Sequence, residues 1–181
     1  MTNLFDLTSR TAVVTGSAQG MGRAMAIALA EAGADLVLLD RNAAGIEATA
    51  QTIRQLGRKA RPIAGDVTDT DHIDQVFATV DREFGRVNIL GNVAGEAKAG
   101  AAEGMTLADI RTTFHNLVIS RYYTCQLAGR RMLAHSAPDV CGCGGGRALG
   151  PQRSWSSGKK SRSGALPHDQ ATIRAHSARQ A

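Results

Sequence analysis

The chain has 181 residues, 43% hydrophobic, 20% charged and only 4% aromatic, with three cysteines; this globular composition calls for an aliphatic, alanine-rich core and excludes a collagen-like, disulfide-dense or wholly disordered chain. The formal charge of +5 is carried by residues 134–181, which hold seven Lys+Arg against Asp139 and Asp169, while residues 1–133 balance 14 basic against 14 acidic side chains, so the excess is not a basic face and nucleic acid is not an expected partner. No apolar run approaches the roughly 20 residues of a membrane span, and the opening MTNLFDLTSR lacks the basic start and apolar stretch of a signal peptide, so a cytoplasmic chain with free thiols and no membrane contact is expected.

The first two thirds alternate strand and helix patterns. Thr11–Gly16 is a β-branched run closed by glycine, a buried-strand signal. A helix is expected over Gly20–Gly33, with Ala24, Ala28 and Ala32 forming a small face and Met25, Ile27 and Leu29 filling in beside it. Asp35–Asp40 reads as the second strand and Ala43–Gly57 as the second helix, with Ile46, Ile53 and Leu56 on one face. Ala60–Asp66 is a third, weaker strand. Ile73, Val76, Phe77, Val80 and Phe84 then recur at helical spacing, closed by Gly85. Val87–Ala94 is the fourth strand, and residues 96–105 read as a small-residue loop.

Thr106 with Asp109 three residues on is a capping-box start. From there Leu107, Ile110, Phe114, Leu117, Val118, Cys125, Ala128 and Met132 hold one helical face to residue 133. Alternating βαβα with nearly continuous apolar strands implies an α/β fold, a Rossmann-like doubly wound parallel sheet of about four strands with flanking helices. Beyond residue 134 both periodicities stop. Residues 139–181 keep only Val140, Leu149, Trp155, Leu166 and Ile173 as large apolar side chains, and three of the four prolines lie at 138, 151 and 167. Such a low-complexity basic tail cannot offset its ordering entropy and is expected to be disordered, apart from a short strand near Val140. The division is therefore a folded unit over 1–133 and a tail over 134–181.

The strongest chemical signal is TGSAQGMG at 15–22, placed between a strand and a helix. Gly16 lets the chain turn sharply out of the strand, Gly20 lets backbone approach a pyrophosphate, and Gly22 lets the helix pack against the sheet. The strand–turn–helix context is what makes a bare glycine pattern specific. Asp40 ends the second strand 24 residues after Gly16, where a carboxylate accepts both ribose hydroxyls and repels a 2′-phosphate. That favours NAD over NADP, although the adjacent Arg41 is a potential phosphate ligand; a strand-end cap is the alternative role for Asp40. Cys141 and Cys143, with His135 and Cys125, match no common zinc spacing, so no metal is expected.

Residues 1–133 resemble a short-chain dehydrogenase/reductase of the classical type, on TGSAQGMG, Asp40, Asp66-Val67 after the third strand, and Asn92-Val93-Ala94-Gly95 after the fourth. The resemblance implies transfer of a hydride between NAD(P) and a small-molecule carbonyl or alcohol. It implies cofactor contacts at Gly16, Ser17, Gln19, Gly20, Met21 and Gly22 in the first turn and at Asp40 and Arg41 after the second strand. Asp66 and Val67 would touch adenine, and Asn92, Ala94 and Gly95 would support the sheet beside the cofactor; Val93 departs from the family's second Asn. Asn116 sits where the family places a catalytic Asn that holds a relay water, with a plain helix-surface amide as the alternative. The long helix 106–133 would make a homo-oligomer face.

The match stops where the proton chemistry should be. Family members use a Tyr whose pKa is lowered by a Lys four residues on, because a free phenol titrates near 10. Here the tyrosines are Tyr122 and Tyr123, with Gln126 and Leu127 four residues further. Trp155 and Lys159 repeat the spacing 39 residues after Asn116, but an indole cannot act as a base, and Gly142 stands where the upstream Ser belongs. The chain is therefore expected to be inactive as encoded, its tail an out-of-frame ending on a truncated dehydrogenase and its fourth strand an open edge. A non-catalytic nucleotide-binding module is the alternative, and a basic-tailed nucleic-acid binder the least favoured one.

Overall fold

Short β-branched and leucine-rich runs make the two central strands of this protein, and the amphipathic segments between strands make the helices that cover them. A computed structural model of the chain describes residues 5–135. In order these form β1 (Thr11–Thr15), α1 (Gly20–Glu31), β2 (Asp35–Asp40), α2 (Ala43–Gln55), β3 (Ala60–Ala64), α3 (Thr70–Phe84) and β4 (Ile89–Asn92). A 3₁₀ turn (Ala102–Gly104), α4 (Leu107–Phe114), a π-helical turn (His115–Ile119) and α5 (Ser120–His135) follow. The tail reading, the strand near Val140, and the Trp155, Lys159, Cys141 and Cys143 positions lie outside the described residues.

The strands pair in parallel in the order β3-β2-β1-β4. β1, β2 and β3 step outward in one direction, and the chain then returns past β1 to lay down β4. That reversal leaves a crevice at the carboxyl ends of β1 and β4, the switch point where open α/β sheets receive ligands. Pro62 is tolerated because β3 is an edge strand, where one row of backbone donors has no ladder partner to lose.

Alternation along the strands divides the core into two layers. Ala12, Val14, Leu36 and Leu38 face α1 and α2, packing with Ala26, Ala30, Ile46, Ala50 and Ile53. Val13, Val37 and Leu39 face the other way, onto Ile73, Val76, Phe77 and Val80 of α3 and Leu127 and Ala128 of α5. Two polar ties fasten α5 to α3. Arg131 makes a two-pronged pair with Asp81 at 2.8 and 2.7 Å and lies over the Phe77 ring, 5.0 Å from its centre. The Tyr123 hydroxyl donates to the Asp74 carboxylate at 2.9 Å.

Several elements differ from their sequence reading. The buried face of α1 is Gly22, Ala26 and Ala30, not Ala24, Ala28 and Ala32, and Met25 is left 40% exposed. The helix's rotation is set at its start, where Gly22 presses on the Gly16 carbonyl, so every fourth residue from Gly22 faces inward. Leu56 lies beyond the end of α2 and is exposed, and β4 is shorter than Val87–Ala94 because its ladder to β1 runs only from Ile89 to Asn92.

The long helix differs most. It is broken by the π turn, in which the Ser120 N–H reaches back to the His115 carbonyl. The wider turn shifts the helical phase. Leu107, Phe114 and Val118 of the expected face are exposed, as is Cys125, while Ala128 and Met132 of that face do pack on the core, Ala128 within a buried face that also takes in Ser120, Thr124 and Leu127. Ser120 and Thr124 are accommodated there because their hydroxyls donate to the Asn116 and Ser120 carbonyls.

The α1 phase is testable. Ala26→Leu, at a fully buried position, is expected to cost about 1–3 kcal/mol by overpacking. Ala28→Leu is expected to stay within about 0.5 kcal/mol of the parent in urea unfolding.

Candidate functional site

A cleft of about 560 Å³ opens at the carboxyl ends of the four strands. Its floor is the turn from β1 into α1. Gly16 adopts φ +70, and a Cβ there would lie 2.9 Å from the Ala94 nitrogen. A Cβ on Gly22 would sit 2.0 Å from the Gly16 carbonyl oxygen, so the helix can approach this closely only without a side chain. At Gly20 a Cβ would meet no heavy atom within 4 Å, and the backbone there faces open space.

The helix ends explain what this turn offers. α2, α3 and α4 are capped by Asn42, Asp69 and Thr106, whose side chains accept from the Gly45, His72 and Asp109 amides. α1 starts after an extended Gln19 with no side-chain cap and no acidic residue in its first turn. Its first amides and its positive dipole end therefore face the cleft, an arrangement suited to an anion.

The walls come from the ends of the other strands. Asp40 is fixed from both sides, accepting from the Ala18 amide at 3.1 Å and the Asn42 amide at 3.0 Å. Asp66, just past β3, accepts from the Thr68 amide and hydroxyl at 2.9 and 2.8 Å. Partial burial pushes the Asp66 carboxyl upward, but the Thr68 hydrogen bonds, with Arg41 and His115 nearby, outweigh it and hold its pKa below the ordinary value. The segment after β4 is clamped by Thr15. Its fully buried hydroxyl accepts from the Val93 and Ala94 amides, each at 3.1 Å, and lies 3.2 Å from Asn92 Oδ1. From the other side Arg121 donates to the Ala94 and Val93 carbonyls at 3.1 and 3.3 Å.

Of the sequence-predicted residues, Gly16, Gln19, Gly20, Met21, Gly22, Asp40, Arg41, Asp66, Val67, Ala94, Gly95 and Asn116 all line this cleft. Ser17 and Asn92 do not. Ser17 is fully buried, its hydroxyl 3.4 Å from the Leu39 carbonyl and its own carbonyl accepting from Thr49. Asn92 links strand to helix, its amide donating to the Arg121 carbonyl at 3.0 Å. Asn116 lies in the π turn, and its side-chain amide donates to the Glu96 carbonyl at 3.3 Å.

Sequence reasoning missed Gly65, Thr68 and Glu96 as lining residues, and the bracing role of Arg121. Thr68, two residues past Asp66, had a readable signal as an Asx-type turn partner. Glu96 and Arg121 had none, because loop path and helix phase bring them in. Both tyrosines lie away from the cleft lining: Tyr122 is exposed and Tyr123 is bound to Asp74.

A family model described as short chain dehydrogenase matches residues 10–145. The chain belongs to the short-chain dehydrogenase family. It is 38% identical over 129 residues to D-threitol dehydrogenase of Mycolicibacterium smegmatis, a match covering 71% of this chain and 50% of that protein. The chain thus spans about half the length of the curated relatives it matches. A short-chain type dehydrogenase/reductase from Mycobacterium marinum superposes with a TM-score of 0.69 at 32% identity, over 72% of this chain and 53% of that one. A 7α-hydroxysteroid dehydrogenase solved with NADH and 7-oxo glycochenodeoxycholic acid superposes with a TM-score of 0.69 at 30% identity, over 73% and 52%. The α/β, Rossmann-like parallel sheet read from the sequence is the fold of these neighbours. Among the described residues no helix is long and apolar enough to cross a membrane.

Because the Asp66 pKa is lowered in the folded state, its stabilising contribution is complete above the ordinary carboxylate pKa and is lost as pH falls through the lowered value. Thr68→Val removes the hydroxyl bond and keeps the amide bond. The Asp66 carboxyl, followed by NMR titration, is expected to titrate at higher pH in that variant, and the loss of stability on acidification to be smaller and to finish at higher pH.

Proposed function

We propose that this chain binds a nicotinamide dinucleotide in the cleft, NAD(H) ahead of its 2′-phosphorylated form, and that it does not by itself complete hydride transfer. The observation that carries the reading is the uncapped start of α1 opening beside Gly16 and Gly20 into the same cleft as the Asp40 carboxylate. The donor set fits such a group. Backbone amides at the start of α1 suit a pyrophosphate, and Asp40 suits a pair of ribose hydroxyls. On this reading Asp66 and Val67 would meet the adenine end, and Asn116, together with the backbone near Ala94 and Gly95, the nicotinamide end.

A bound nicotinamide would supply the hydride chemistry on a small carbonyl or alcohol; the chain would have to supply a proton at the substrate oxygen. Its tyrosines argue against that. Asp74, by accepting the Tyr123 hydroxyl, raises that phenol above its usual value, opposite to what a general base at neutral pH requires. Tyr122 is mostly exposed, on the helix outside the cleft. The folded unit over 1–133, the basic tail beyond it and a cytoplasmic location complete the reading.

An exposed apolar stripe on α4, the π turn and α5 (Leu107, Ile110, Phe114, Val118 and Tyr122) favours self-association through that face. Phe114→Glu is expected to lower the apparent mass in light scattering if the stripe is buried between copies.

NADH fluorescence is expected to saturate on titration with the full chain. Asp40→Asn is expected to weaken NADH binding about tenfold, ~1.4 kcal/mol, while weakening NADPH less. A panel of ketones and aldehydes is expected to give no NADH oxidation. Absence of NADH binding overturns the dinucleotide reading, and steady turnover overturns the inactive one.

A further inference from the structure

Arg41 follows Asp40 at the end of β2, a position from which a guanidinium can take a 2′-phosphate. Its two outer nitrogens are drawn toward carboxylates. Nη2 lies 3.2 Å from Glu96 Oε2 and Nη1 lies 3.9 Å from Asp66 Oδ2. One guanidinium thus spans the chain segments that follow β2, β3 and β4. Glu96 is held for this contact at its backbone, where its carbonyl accepts from the Asn116 amide of the π turn.

The rim of the cleft therefore carries three carboxylates, Asp40, Asp66 and Glu96, around a single engaged guanidinium. Asp40 cannot swing aside easily, because the Ala18 and Asn42 amides hold its two oxygens. A 2′-phosphate entering here brings up to two further negative charges. To take Arg41 in a two-pronged pair through its outer nitrogens it must displace Glu96 from Nη2 and lie near the remaining carboxylates.

The geometry points to Glu96 as a specificity-determining residue, whose carboxylate keeps Arg41 across the rim and withholds it from a 2′-phosphate. This rests on the dinucleotide reading given above. Selectivity for the unphosphorylated dinucleotide then has two layers, repulsion by Asp40 and sequestration of Arg41 by Glu96. The Arg41–Glu96 pair is exposed on both sides, 68% and 72%, so the effect is moderate and shrinks with added salt.

The test uses the full chain and four proteins: parent, Glu96→Ala, Arg41→Met and the double variant. NADH and NADPH are titrated by nicotinamide fluorescence at low salt, and thermal unfolding checks that each protein is folded. Glu96→Ala is expected to raise the ratio of NADPH to NADH affinity about five- to tenfold, the scale of about 1 kcal/mol for one released ion pair. In the Arg41→Met background the same change at Glu96 is expected to leave the ratio where it stands, since there is no guanidinium to release. Glu96→Gln, which keeps the side chain's shape, is expected to reproduce part of the gain.

An equal rise with and without Arg41 overturns the proposal, because it means that Glu96 acts only as a repelling charge. An unchanged ratio in Glu96→Ala overturns it as well. If the parent binds neither dinucleotide, the dinucleotide reading itself fails and this inference falls with it; if the parent binds NADH and only the ratio fails to move, the dinucleotide reading stands and the role of Glu96 alone is lost.

Discussion

The contact between Gly22 and the Gly16 carbonyl is the constraint on which the rest of the site depends. A single Cβ at Gly22 would fall 2.0 Å from that oxygen, so the start of α1 lies as near the β1 turn as backbone allows. The contact rotates α1 so that Ala26 and Ala30 pack on the sheet, and it directs the uncapped helix end into the cleft. Small residues on that face follow from it, because a helix held so close to strands has no room for large ones. The same contact thus sets core packing and the shape of the cleft floor, two properties that a substitution there would not separate.

Thr15 and Arg121 extend the constraint to the opposite wall. The Thr15 hydroxyl gathers the Val93 and Ala94 amides, and the Arg121 guanidinium takes the carbonyls of the same two residues. The segment following β4 is irregular backbone, which needs such partners when it is taken from water. Asn92 closes the circuit by donating to the Arg121 carbonyl, joining β4 to α5. The π turn between α4 and α5 fits this arrangement: it places Asn116 against Glu96 and turns Ser120, Thr124, Leu127 and Ala128 inward.

The electrostatics of the cleft are asymmetric. Its floor offers amides and a positive helix end; its rim offers carboxylates and a guanidinium already paired. The dinucleotide proposed above, with phosphate in the middle and hydroxyl groups at one end, would meet both halves at once. The arrangement is consistent with membership of the short-chain dehydrogenase family, whose fold this chain shares over the matched residues.

The sequence by itself determined the order of strands and helices and the parallel sheet, because alternating apolar runs and 3.6-residue periodicity are local properties. It also determined the TGSAQGMG turn and Asp40, since glycine spacing and a strand-end carboxylate are legible without knowing what packs on them. Tertiary structure alone decided which side of α1 is buried, because that rotation comes from one backbone contact and not from hydrophobicity, which is nearly uniform around an alanine-rich helix. It alone decided that the expected face of the long helix splits, with Leu107, Phe114 and Val118 outward and Ala128 and Met132 inward, because a π turn leaves no periodic mark. It also took Ser17 and Asn92 off the cleft wall and brought Glu96 to Arg41, 55 positions away. Contacts of that kind depend on where β2 and β4 finish relative to each other, and only the assembled sheet fixes that distance.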